Sequence, residues 1–438
     1  MSFKECSVSE LDIFNASPIQ SAILRSDQIV YNPINSLDNC TTLEFFSSGS
    51  TNAYRDLSNT FLHLKVQLVK SNGSPYMERK GDQTAIKDAV KDQPGFINNI
   101  IHSLFRSCTV YFNGNIVSNT DFYGIKAYMD IITNYSEDAI KTNFLSGGFV
   151  KDTINHFDAF DEQNSGYVQR KNLTKNGSIL DLYSHIDVDI FNQPRFLINN
   201  VDIKIVFLLE NASFYLLEAE NQHSTIKIHE AQLVMRHVYV NPNIILHHHQ
   251  LLNKNIKIRM PFKKSEIKTY TIASQVTSTS IDNMFHGKLP CNLIFTMIDN
   301  ASLSMRNSNP LNFQPFNLNY FAVYVNNQST PIQPLHMDFM NNNYSEAYVE
   351  FLKNLGVYGQ DVGLIVSKEA WRSNCFMIPL NLSPLNKLDE CKHHLNDGTI
   401  RFELKFKSPL SKAVTVIFYA EYDSTLEIDK NYNASIVA

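Results

Sequence analysis

Apolar and polar residues alternate along most of this chain. In NTFLHLKVQLVKSNG (59–73), Leu62, Leu64, Val66 and Leu68 fall on one side, and His63, Lys65 and Gln67 on the other. A period of two predicts a strand with one buried face. Ser71-Asn72-Gly73 then closes it with a turn signal. Burying those four side chains is worth roughly 6–12 kcal/mol. Ordering about eight residues of backbone costs about as much, so the strand needs a second sheet across its apolar face.

The pattern recurs. CTVYFNGNIV (108–117) reads as two short strands around Asn113-Gly114, a strong hairpin signal. NNVDIKIVFLLE places Val201, Ile203, Ile205 and Phe207 on one side. In TIRFELKFK, Ile400, Phe402, Leu404 and Phe406 face in, while Arg401, Glu403, Lys405 and Lys407 face out. Segments 227–240, 268–272, 292–299 and 413–424 add further strands. The chain is therefore expected to be a mainly antiparallel β protein.

Helical spacing is rarer. Phe122, Ile125, Met129 and Ile132 form one stripe after a capping candidate at Thr120. A second helix is expected to start after Ser345 and to stop at Gly356. Long polar loops are expected at 71–95, 148–180, 300–315 and 383–398, and loops of such length are commonly functional.

TVYFNGN (109–115) and AVYVNNQ (322–328) are nearly the same strand and turn, with Val110 and Val323 213 positions apart. The strand from Val201 and the one from Val414 share that offset, and the helices AYMDII (127–132) and AYVEFL (347–352) lie 220 apart. The repeated order of hairpin, helix and late strand predicts two similar β-sandwich domains in tandem. The expected divisions are an N-terminal segment 1–40, a first roll 41–225 and a second roll 226–438. Many strands, long end loops and a small helix suit a jelly roll.

Composition narrows the classes. There are 38 Lys and Arg against 43 Asp and Glu, a formal net charge of −5, so nothing in the balance points to nucleic acid or an anionic membrane. The opening MSFKECSVSELDIF lacks the basic start and apolar run of a signal peptide. No stretch approaches the ~20 apolar residues of a membrane helix. Synthesis in the cytosol is expected. Cys6, Cys40, Cys108, Cys291, Cys375 and Cys391 are scattered, which favours free thiols over a disulfide framework.

Candidate chemistry is thin. His247-His248-His249 invites a metal, but neighbours on a strand point to opposite faces and cannot chelate together. Cys391 with His393 and His394 is a second candidate, without a second cluster to complete it. Asp158, Asp161 and Glu162 could bind a cation but read better as a solvated loop. Gly49-Ser50 lacks the setting of a serine nucleophile. There is no phosphate-binding GxxxxGK[ST] loop. Trp371, the only tryptophan, is expected in a core or an interface. The reading assigns no catalytic, cofactor-binding or metal-binding residue.

Several longer stretches carry a resemblance: LDIF (11–14), YRDLSNTFLHLKVQL (54–68), IIHSLFRSCTVYFNGN (100–115), PRFLINNVDIKI (194–205), FHGKLPCNLIFTMIDN (285–300), FNLNYFAVYVNNQSTP (316–331) and VTVIFYAEYDSTLEID (414–429). In this order and spacing the chain resembles the hexon-like major capsid proteins of Polinton/Maverick elements and adintoviruses. The resemblance implies a double jelly roll without enzymatic activity or cofactor. It implies a homotrimer, paving a pseudo-hexagonal lattice with neighbouring capsomers around double-stranded DNA, and a penton or minor capsid protein as a further partner. The implied location is the virion, after synthesis in the host cytosol and assembly there or in the nucleus. No sequence-specific contact with nucleic acid is implied. Where that family uses Gly in its turns this chain has Asn, as in Asn326-Asn327, and Asn also tolerates left-handed backbone. The long loops are expected, by analogy, to project from the capsid surface.

Two other classes compete. A tandem β-sandwich of the carbohydrate-binding, lectin-like kind would use the aromatic content, 11% of residues, but needs no half-chain duplication. An enzyme on a cupin-like jelly roll would need a spaced set of metal ligands in one half, and neither half has one.

Overall fold

The alternating stretch around Leu62 forms a strand of 17 residues, Ala53–Val69, with Leu62, Leu64, Val66 and Leu68 buried. Its surroundings come from a computed structural model, which describes residues 19–76, 93–219, 223–285, 287–329, 333–383 and 397–437. Numbered along the chain, the first half holds β1 (Ile23–Tyr31), β2 (Thr42–Ser47), β3 (Ala53–Val69), β4 (Gly95–Phe96) and β5 (Phe105–Phe112). It continues with β6 (Asn115–Asp121), β7 (Ile179–His185), β8 (Ile203–Leu209), β9 (Leu216–Leu217) and β10 (Thr225–Val240). One sheet has the order β1-β10-β3-β7 and a second the order β2-β8-β5-β6, while β4 and β9 pair with each other. Phe45, Phe105 and Phe207 of one sheet share a core with Leu62, Leu64 and Val66 of the other.

The second half repeats this plan. It holds β11 (Ile258–Ile272), β12 (Ser278–Asp282), β13 (Asn292–Asp299), β14 (Leu318–Val325), β15 (Gln328–Ser329) and β16 (Leu335–His336). Then come β17 (Met377–Asn381), β18 (Ile400–Phe406), β19 (Val414–Ile428) and β20 (Ala434–Val437). The sheet orders are β11-β19-β13-β17 and β12-β18-β14-β15. In each half the first strand lies beside a long late strand (β1 beside β10, β11 beside β19) and the second beside an earlier one (β2 beside β8, β12 beside β18). The chain is two jelly rolls in tandem.

Topology corrects three expectations. The division expected after residue 225 falls at the start of β10, which is hydrogen-bonded between β1 and β3 and so belongs to the first roll. Residues 23–31 of the expected 1–40 segment are likewise the edge strand β1 of that roll. The third correction concerns the repeat. By position in the sheets, β8 corresponds to β18 and β10 to β19, so the strand just after Val201 and the one that begins at Val414 differ in rank. Alternation has a period of two, so any two strands can be laid in phase, and only hydrogen bonding identifies the partner.

The hairpin repeat is genuine in the same topological sense, since β5-β6 and β14-β15 occupy matching places. Asn113 (φ 47°) and Gly114 (φ 81°) make one turn, and Asn326 (φ 51°) and Asn327 (φ 65°) the other. Two positive φ values give the turn whose twist suits a hairpin. Asn113 donates its backbone N–H to the Asp202 carbonyl (3.0 Å), and its Oδ1 accepts from the Asp202 N–H (2.7 Å). Asn326 does the same with Thr399, at 3.0 Å in both directions. Asp202 and Thr399 each directly precede the matching strands β8 and β18.

The first expected helix spans Tyr123–Asn134, with Thr120 inside β6 and Phe122 at its head with φ 52°. The second spans Ser345–Asn354, and Gly356 just beyond it has φ 71°. Both lie between the strands that correspond to β6 and β7. A third helix, Pro242–Asn253, joins the rolls; Asn241 caps it by accepting from the Asn243 N–H (3.0 Å), with proline at its first position. The loop expected at 148–180 contains a further helix, Ser165–Leu173.

Candidate functional site at the seam between the rolls

Where the two rolls meet, the chain buries charge. The helix Tyr123–Asn134 carries Lys126, whose side chain is 1% exposed. Its ammonium lies 2.7 Å from Asp130, one turn on, 3.2 Å from Asp187 and 3.3 Å from Asp189. Asp187 and Asp189 alternate with Ile186, Val188 and Ile190, all fully buried, in the segment after β7. Asp189 also reaches across the seam, accepting from the backbone N–H (2.6 Å) and hydroxyl (2.7 Å) of Ser265 on β11. Tyr419 of β19 is buried against the same carboxylates, and its phenol is held well above the usual range, first by burial and then by Asp130 and Glu421.

One cation for three carboxylates, Asp189 buried and Asp130 and Asp187 mostly so, leaves a surplus of negative charge. Asp130 relieves it by favouring its protonated form. Burial pushes Asp130 up to about 8, against the pull of Lys126. Burial acts against the Asp187 carboxylate too, but Lys126, His102 and the Asn192 amide hold it at about 2. Lys126 stays cationic, because the three aspartates outweigh its desolvation. His102, bonded to the Tyr123 hydroxyl (3.0 Å), is pushed down to about 4 by burial and is neutral. An enclosed, charged lysine is no nucleophile, so the arrangement is a clamp.

Other polar clasps flank it. Glu218 pairs with Arg306, which also donates to the Ser224 carbonyl (3.0 Å). Asp158 accepts from the Asn309 N–H (2.7 Å) and the Asn312 amide (2.6 Å), and Asn374 accepts from the Asn155 N–H (2.6 Å). Tyr128 packs edge-on against Phe313. Near the C-terminal strand, Asn113 donates to the Tyr432 carbonyl (2.9 Å).

The candidates from sequence are placed as follows. His247, His248 and His249 sit on the joining helix, not on a strand, since Pro242 and the Asn241 cap start a helix there. His248 meets the Tyr54 hydroxyl (2.8 Å), while His249 lies between the Tyr432 hydroxyl (2.9 Å) and the Asn199 amide (3.4 Å), so the two rings have different partners. Among the described residues no group of three or more His, Cys, Asp or Glu is arranged to hold a metal ion. Cys391, His393 and His394 lie outside the described residues. Asp158 is no solvated cluster member but part of the seam, because loops 148–180 and 300–315, expected to project, meet each other there. Trp371 is fully buried among Phe339, Tyr344, Tyr348, Phe351 and Phe376, with its indole N–H donated to the Met377 carbonyl (2.8 Å). Gly49 donates its N–H to the Asp202 carboxylate (2.6 Å) and is built against the backbone of Asn200. Cys40, Cys108, Cys291 and Cys375 form no disulfide. Sequence reading missed Lys126, Asp130, Asp187 and Asp189. The available signals were the i, i+4 Lys–Asp spacing and the two carboxylates threaded between apolar residues in HIDVDIF.

Comparison with known structures places this architecture. The chain superposes over 100% of its length on 93% of a chain from the Sputnik virophage structure, with TM-score 0.65 and 12% identity. A chain of the PBCV-1 virus capsid matches 97% of it with TM-score 0.56 and 9% identity, covering 99% of that chain. The mavirus major capsid protein matches 100% of it with TM-score 0.53 and 10% identity, covering 96% of that chain. The fold is that of viral double jelly-roll capsid proteins. By sequence, an uncharacterized protein of Caenorhabditis elegans is 23% identical over 427 residues, 94% of this chain and 96% of the relative. No family model matches. No helix among the described residues is long and apolar enough to cross a membrane.

Proposed function

We propose that this chain is a major capsid protein of the Polinton and adintovirus kind. On this reading it acts as a non-enzymatic building block: three copies form a pseudo-hexagonal capsomer, and capsomers form an icosahedral shell around double-stranded DNA. The observation that carries the reading is the pair of like rolls locked side by side by a buried polar seam. Three such chains supply six like units for a ring, which is what a roughly hexagonal lattice needs from a trimer. The full-length likeness to capsid folds supports the same reading. The virion is the proposed location, and a penton or minor capsid protein the proposed further partner.

The test is solution mass by light scattering over a range of concentrations. A stable species of three times 50.1 kDa is the expected result. A strict monomer at every concentration overturns the capsomer.

The lectin-like alternative draws on one feature, a half-exposed aromatic pair on the outer face of the first roll. Phe61 stacks on Tyr183 with centroids 5.2 Å apart, beside His63 and Asp181. A flat aromatic surface with polar neighbours suits a sugar ring, and a glycan array tests it.

A further inference from the structure

The seam inside one chain has a donor side and an acceptor side, and each reappears, uncovered, elsewhere on the molecule. The acceptor is the outer face of β11-β19-β13-β17. Phe295 and Phe418 turn inward, toward Phe321 and Phe402. Their neighbours Ile294, Ile417 and Tyr419 therefore turn outward, yet all three are buried. The first roll covers them with the excursion between β6 and β7 and the turn after β7: Asp189 holds Ser265, and Tyr128 packs on Phe313. The donor helix Tyr123–Asn134 is consequently buried all round, except at Asp130 and Asn134.

Among the described residues, the matching sheet face in the first roll, on β1-β10-β3-β7, is left open. Leu62 and Leu233 turn inward, so Val30, Phe61, His63, Tyr183 and His185 turn outward, and they remain exposed or half-exposed. Val30 and Ile179 on its two edges are 49% and 50% exposed. The matching excursion in the second roll, between β15 and β17, is open too. Its helix Ser345–Asn354 buries only Ala347 and Phe351. The same excursion leaves Met340, Tyr358 and Val362 at 73%, 57% and 54% exposure.

We propose that the outer face of β1-β10-β3-β7 is the docking surface for a second copy of this chain, filled by that copy's excursion between β15 and β17. The inference rests on the capsomer reading and names its interface. The contact repeats between chains the junction already built within one. Donor and acceptor are different surfaces, so the contact is head-to-tail, and a constant turn from roll to roll closes it into a ring.

Two double variants test it. Val30→Lys with Ile179→Lys alters the acceptor, and Tyr358→Lys with Val362→Lys alters the donor. All four positions are well exposed, so circular dichroism and Trp371 fluorescence should match wild type. Light scattering should show each variant alone at 50.1 kDa, where wild type gives the three-chain species. An equimolar mixture retains one good donor and one good acceptor, so it should give a two-chain species that cannot close. If either variant still forms the wild-type trimer, or the mixture yields no two-chain species, this interface is wrong while the capsomer stands. If wild type itself never exceeds one chain, the capsomer reading falls and this inference with it.

Discussion

Asp130→Asn tests the charge state of the seam. In the unfolded chain the carboxyl titrates near 3.8, and in the fold burial pushes it up to about 8. Between those values the unfolded group is ionised and the folded one is not, so folding takes up a proton. A raised folded pKa means the contribution is complete below about 3.8 and is lost as pH rises through about 8. Each pH unit in that window costs about 1.4 kcal/mol. From pH 5 to pH 7 the wild type therefore loses about 3 kcal/mol that an amide, neutral throughout, does not lose. The variant keeps an oxygen for Lys126, which sits 2.7 Å away. Urea unfolding at pH 5, 6 and 7, followed by the fully buried Trp371 at matched chain concentration, gives the two stabilities. Their difference, variant minus wild type, should grow by about 3 kcal/mol across the range, with groups such as His102 cancelling. A difference flat to within about 0.5 kcal/mol would refute the reasoning, because Asp130 would then fold as an ordinary carboxylate paired with Lys126.

Three further outcomes are expected. Burial holds His102 near 4, so its contribution is complete above about 6.5 and is lost as pH falls through about 4, roughly 3 kcal/mol in all; His102→Gln should flatten that acid limb in urea midpoints. Asn326→Ala removes the acceptor for the Thr399 N–H and forces alanine to φ 51°, so it should cost about 2–3 kcal/mol in urea unfolding, while Asn327→Gly at φ 65° should be neutral or stabilising. With a net charge of −5, the purified oligomer should shift DNA only weakly in a mobility assay; tight, salt-sensitive binding would contradict a shell that leaves genome neutralisation to other components.

The strands were legible because each writes its own burial in a two-residue period. Leu62 to Leu68 and Ile400 to Phe406 are buried as their alternation predicts. The turns were legible because Asn113-Gly114 and Asn326-Asn327 are chemically fit for positive φ. What local pattern cannot carry is the identity of a strand's neighbour. That is why β10 was assigned to the wrong roll, and why β8 was matched to β19 when its counterpart is β18. The seam was illegible for a related reason. Asp189 and Ser265 lie 76 residues apart, and Glu218 and Arg306 lie 88 apart. Each looks like an ordinary surface residue until the fold brings its partner.

The chemistry of the seam suits the proposed assembly of like units. Apolar contact alone tolerates sliding, since it scales with area and has little direction. Carboxylates that accept two or three hydrogen bonds each fix an angle, and Asp189 and Asp158 do so across the junction. In the proposed capsomer, a ring of six rolls from three chains, half the junctions lie within chains and half between them. A flexible internal junction would have to be ordered every time a capsomer closed, at a cost to association. Holding it rigid in the monomer removes that cost, so the internal junction is buried, charged and permanent. The junction proposed between chains has to form from separate, soluble molecules, and its open faces suit that task. They carry a few aromatic and aliphatic anchors, Phe61, Tyr183 and Val30 on one side and Tyr358 and Val362 on the other, ringed by charged residues.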